Sequence, residues 1–120
     1  MTINIFNTEG NCIAEIISGN IEINNTRDAL DIMADCNYQG AGAIILHEKN
    51  IIPAFFDLKT GIAGEILQKF STYQMRLAII GDFSKYSGKS LGEFIYESNK
   101  FRRINFVKSM DEAIRRLSVE

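Results

Sequence analysis

Three short apolar runs, Ala43-Ile44-Ile45-Leu46, Leu77-Ala78-Ile79-Ile80 and Ile104-Asn105-Phe106-Val107, are separated by stretches whose apolar residues recur at helical spacing. A run without alternation, such as the first, which lies between Gly42 and the polar pair His47-Glu48, fits a strand buried on both faces of a parallel sheet. Strand, helix and strand in succession form right-handed crossovers, so the three runs are expected as parallel neighbours β3, β4 and β5, with helices covering the sheet.

The remaining elements follow from local signals. Residues 2–6 and Asn11–Ile17 are rich in β-branched side chains on either side of Asn7-Thr8-Glu9-Gly10, which predicts an antiparallel hairpin of β1 and β2. Ala29, Leu30, Met33 and Ala34, behind an Asn25-Thr26 cap and Asp28, predict α1 from Thr26 to near Asn37. Ile62, Ala63, Ile66, Leu67 and Phe70 predict α2 over residues 58–72. Ser90 with Glu93 reads as a capping box before α3, whose stripe is Leu91, Phe94 and Ile95. Ser109 with Glu112 reads as a second before α4, with Met110, Ala113, Ile114 and Leu117 on one face. The order is ββαβαβαβα in one piece. At 120 residues and 46% hydrophobic content, the chain suits a single α/β domain with a mixed sheet and its own core.

Charge and cysteine usage exclude several partners. The net charge of −2 is too balanced to imply nucleic acid or an anionic membrane, although residues 1–84 carry −5 and residues 85–120 carry +3. Lys100, Arg102 and Arg103 around Phe101 read as a solvated face, and no RRM-type signature accompanies them. Cys12 and Cys36, with His47 the one histidine, cannot complete a Cys/His zinc set. Two reduced thiols, an N-terminus without signal-peptide order and no apolar run of roughly 18 residues predict a cytoplasmic protein without a membrane span, metal or cofactor.

Ligands of parallel sheets gather beyond the carboxyl ends of the strands. That rule selects His47 and Glu48 after β3, Asp57, Lys59, Thr60 and Gly61 at the entry to α2, and Asp82, Phe83, Ser84 and Lys85 after β4. A histidine among Glu48, Asp57 and Asp82 offers a small-molecule pocket or acid/base chemistry as one reading, but no complete catalytic constellation is present and no residue is assigned as catalytic. Asp57 and Thr60 at a helix start read as a cap. The Thr60 hydroxyl there is also accessible to a kinase, and a phosphate on it would meet free N–H groups. The GxxxxGK[ST] order of a Walker loop is absent.

Phe55-Phe56-Asp57-Leu58-Lys59-Thr60-Gly61-Ile62-Ala63-Gly64-Glu65-Ile66-Leu67-Gln68-Lys69-Phe70 and Arg76-Leu77-Ala78-Ile79-Ile80-Gly81-Asp82-Phe83 resemble the bacterial DUF4180 family. The likeness takes in Ile45-Leu46-His47-Glu48, Lys89-Ser90-Leu91 and Glu97-Ser98-Asn99, and it implies no activity. The element order and the acidic residue opening the second helix are also similar to the STAS domain of sulfate transporters and anti-sigma factor antagonists. In that domain the turn after the third strand reads roughly Asp-Ser-Ser/Thr-Gly-Leu/Ile-Gly, and a partner kinase phosphorylates the serine. Here Asp57 and Thr60-Gly61-Ile62 match parts of it, Leu58 and Lys59 intervene, Ala63 separates Ile62 from Gly64, and Lys59 falls at the serine position. Thr60 is the remaining acceptor. The resemblance implies a non-enzymatic interaction or regulatory module that uses these loops to contact an unidentified protein or a small anionic ligand. A free edge strand or α1 would allow a homodimer.

Overall fold

The structure is a computed structural model that describes residues 1–86 and 88–118. Strands β1 (Thr2–Thr8), β2 (Asn11–Ile17), β3 (Ala43–His47), β4 (Arg76–Ile80) and β5 (Ile104–Val107) form one sheet in sequential order, with β1 antiparallel to β2 and every later pair parallel. Helices α1 (Thr26–Tyr38), α2 (Ile62–Thr72), α3 (Lys89–Lys100) and α4 (Met110–Leu117) complete the expected ββαβαβαβα order.

The hairpin closes on Glu9 and Gly10, with φ of 50° and 80°. Two successive left-handed residues are what a two-residue turn needs to match the twist of its strands. The runs Ala43-Ile44-Ile45-Leu46 and Ile104-Asn105-Phe106-Val107 are buried throughout, as strands covered on both faces must be.

The strand order explains where the helices go. Right-handed crossovers that always step in the same direction along the sheet leave their helices on one face. Ala14, Ile16, Ile44, Leu46, Leu77, Ile79, Ile104 and Phe106 accordingly share a core with the buried faces of α1, α2 and α3. The opposite face would be bare, and α4, which follows the last strand, folds back over it. Ala113 and Leu117 of α4 pack with Ile13, Ala43, Ile45, Ala78 and Val107. Asn105 is a fully buried polar residue in β5, and its amide is paired: Nδ2 donates to Leu77 O (3.1 Å) and Arg102 O (3.0 Å), and Oδ1 accepts from Arg116 Nε (2.8 Å). No helix among the described residues is long and apolar enough to cross a membrane.

Two helix starts differ from the sequence reading. Residues 58–60 are not the first turn of α2 but a separate 3-10 turn, and Gly61, in the left-handed region at φ 76°, breaks the chain before the helix begins at Ile62. A side chain at residue 61 would meet nothing, so glycine serves the backbone conformation there rather than close packing. The Ser90/Glu93 capping box does not form. Helix α3 starts at Lys89 behind Gly88, which places Ser90 inside the first turn. The second box holds in part: Ser109 Oγ accepts from Glu112 N (3.1 Å), while Glu112 Oε1 reaches back to Lys108 N (3.0 Å).

Candidate functional site

His47 is the last residue of β3 and Glu48 opens the 3-10 turn over residues 48–50, and the two side chains find partners on opposite sides of the sheet. His47 lies on the α4 side, where its Nε2 stands 2.9 Å from Glu15 Oε2 on β2. Glu48 turns to the side of the three crossover helices and is buried to 9% exposure. Its Oε2 accepts from the Tyr86 hydroxyl and pairs with Lys85 Nζ at 2.7 Å. Burial first, then the hydrogen bond to the Glu48 carboxylate and its charge, push the Tyr86 phenol well above its ordinary pKa.

Asp57 and Asp82 play matching roles in the two loops. Asp57 Oδ1 accepts from Lys59 N (3.2 Å) and opens the 3-10 turn over residues 58–60. Asp82 Oδ1 accepts from Ser84 Oγ (2.6 Å) and Ser84 N (3.1 Å) and opens the turn over residues 83–85. Those two bonds, the hydroxyl first, hold the exposed Asp82 carboxyl below its ordinary pKa, with smaller help from Lys85 and Lys108. The Thr60 hydroxyl is 2.8 Å from both Ala54 O and Asp57 O and accepts from Ile62 N (3.3 Å), which ties the loop to the start of α2. Phe83 packs inward against Phe56 and Phe106.

These loops enclose an open cleft of about 630 Å³ at the carboxyl edge of β3 and β4. Asp57, Leu58, Lys59 and Phe56 line one wall, Lys85 and Tyr86 a second, and Ser90 and Leu91 of the first turn of α3 a third. Phe56 and Tyr86 stack at 4.9 Å between ring centroids, which makes part of the lining flat and apolar. Of the expected residues, the structure thus brings Asp57, Lys59 and Lys85 to one cleft, with Glu48 held beside it through Lys85 and Tyr86. His47 faces the other side of the sheet. Among the described residues no hydrogen bond or ion pair joins His47 to Asp57 or Asp82, and no group of three or more His, Cys, Asp and Glu side chains is placed to hold a metal ion.

Phe56, Tyr86 and Leu91 are not among the site residues that the sequence selects. Their signal was present as aromatic or apolar residues beside the polar turns, but their convergence depends on β3 and β4 being neighbours. Glu15 carried a clearer mark, an acid between Ile13 and Ile17 on one face of a strand.

The model of a domain of unknown function, DUF4180, matches residues 8–117. The chain belongs to the DUF4180 family. No curated protein and no solved structure matches it. The DUF4180 match includes every residue of the cleft and both members of the His47–Glu15 pair.

Proposed function

We propose that this DUF4180 chain is a non-enzymatic recognition domain, a cytoplasmic STAS-like regulatory module whose carboxyl-edge cleft takes the anionic group, carboxylate or phosphate, of a small ligand or a partner protein. One observation carries this reading: Lys59 and Lys85, from different loops, line the same cleft against Phe56, Leu58 and Leu91. Lys85 already shares its charge with Glu48, so the Lys59 ammonium, beside Asp57 and the apolar wall, is the group that suits an anion with an apolar body. Gly88 provides no side-chain cap to α3, so the first-turn N–H groups beside the cleft add to the attraction. The ββαβαβαβα order supports the STAS likeness. Thr60, the last residue of the 3-10 turn that Asp57 opens, is the phospho-acceptor of this reading.

Acid/base chemistry or a sensor pocket around His47, Glu48, Asp57 and Asp82 draws less support. Asp57 and Asp82 are engaged with turn N–H groups, and His47 and Glu48 lie on opposite sides of the sheet.

Titration of the isotope-labelled full chain with inorganic phosphate, and separately with acetate, followed by amide chemical shifts, tests the proposal. Saturable shifts at residues 57–60 and 88–91 that weaken in Lys59→Gln are expected. Shifts that do not saturate, or that are the same in the variant, would overturn it.

A further inference from the structure

Each of the three crossover helices ends in an exposed aromatic residue. Tyr38 is the last residue of α1, Tyr73 follows α2 as its C-cap, and Phe101 follows α3 in the same position. They are 92%, 61% and 78% exposed, three of the seven large apolar side chains in that condition among the described residues. Crossover helices run antiparallel to the strands they connect, so all three aromatics lie at the amino edge of the parallel sheet, opposite the cleft. Because the strands stand in sequential order, the aromatics also stand in order across that edge: Tyr38, Tyr73, Phe101.

The edge is charged unequally along its length. Near Tyr38, α1 carries exposed Asp35, with Asp31 two turns back paired to Arg27, whereas Phe101 sits between Lys100 and the Arg102-Arg103 pair. A groove of about 510 Å³ along α1 is lined by Leu30, Met33, Ala34, Tyr73 and Met75, with Asn37 and the Arg27–Asp31 ion pair (3.3 Å) on its rim. The molecule therefore has, towards one end of this edge, a groove with Asp35 beside it and, at the other, a protruding phenylalanine with basic surroundings.

We infer that a second copy of this chain covers this edge through a two-fold axis near Tyr73, with Phe101 of each copy entering the α1 groove of the other. A two-fold axis reverses the strip against itself. Acidic then faces basic at both ends, and both grooves are filled by one closed contact. Exposed aromatics of this kind are typical anchors of interfaces, where aromatic residues and arginine are enriched relative to the rest of the surface.

Sedimentation equilibrium of the full chain, at low and high salt, tests the inference. A dimer that weakens as salt rises is expected, because the end charges lie at the surface. Phe101→Ser should weaken it by about tenfold or more. Asp35→Lys and Arg102→Glu should each weaken it, and the two together in one chain should restore it, since both ends are then reversed. The three positions are exposed, so thermal unfolding serves as the control for folding. A wild-type chain that stays monomeric, a dimer that Phe101→Ser leaves intact, or a double reversal that fails to restore association would each overturn the inference.

Discussion

Gly81 lies so close to Glu48 that a β-carbon on residue 81 would stand 2.6 Å from Glu48 Cβ and 2.7 Å from its Oε1. The glycine ends β4 on the Val107 carbonyl, and the glutamate beside it is pinned by Lys85 and Tyr86. Neither side has room to yield cheaply, since the nearer contact is to the stem of the side chain rather than its tip. Gly81→Ala is expected to destabilise the fold by about 1–3 kcal/mol, the usual cost of overpacking a closed contact. Urea denaturation of the variant measures it, and Gly81→Ala should cost less when introduced into Glu48→Gly than into wild type, because the obstructing stem and carboxylate are then both gone. A neutral Gly81→Ala would mean that the Glu48 cluster is looser than its contacts indicate.

The hold on α4 is equally specific. Arg76 opens β4 and donates from Nη1 to Leu117 O and from Nη2 to Arg116 O, both at 2.7 Å, so a fixed cation meets the last carbonyls of an eight-residue helix. Its Nε and Nη2 also reach Arg102 O at 3.3 and 3.1 Å. Charge-assisted bonds of this sort contribute more than neutral ones. Arg76→Met is expected to cost about 2 kcal/mol and to speed hydrogen exchange in α4 ahead of α1 and α2. If exchange rises uniformly over all helices, the side chain acts on the whole fold and not on α4.

The contrast between Asp57 and Asn25 shows where the sequence was readable. Asn25 caps α1 through Asp28 N, as its position before an amphipathic stretch predicts. Asp57 gives the same local signal, but the bond it makes is to a 3-10 turn, and the helix waits for Gly61. An N-cap residue reports only that N–H groups follow it, not whether the turn continues. Strands β2 and β5 fell where a β-branched run beside a turn signal and a short apolar run placed them, because both signals are local. The pairs that shape the site are not local: His47 meets Glu15 across two strands, and Tyr86 meets Glu48 between two loops. Strand order decides both, and no single segment contains it.

The two thiols should separate sharply. Cys36 is fully buried in α1, and burial first, then neighbouring Asp35, push its thiol up to about 11 from 9.0, whereas Cys12 on β2 is half-buried. The thiolate is the reactive form. Iodoacetamide in mild alkali is therefore expected to alkylate Cys12 first and to reach Cys36 only when denaturant is added, as intact-mass measurement would show. Equal rates for the two would contradict the packing of α1 on the sheet.

Tyr86→Phe isolates one hydroxyl, since the ring that stacks on Phe56 is kept. At neutral pH the variant should be less stable by about 1 kcal/mol, the usual net worth of one hydrogen bond. The pH dependence has a definite sign. Folding raises the Tyr86 pKa above its ordinary 10.0, so the folded state keeps a proton that the unfolded state releases. The resulting stabilisation is fully present below pH 10 and is lost as pH rises from there towards the raised folded value. Wild type and Tyr86→Phe should therefore differ by a constant amount through neutral pH, and the gap should close above pH 10, because the remaining titrating groups are common to both chains. Paired urea denaturations on either side of that pH read the difference directly. A gap that stays constant into alkali would show that the Glu48 carboxylate does not hold the phenol in its neutral form.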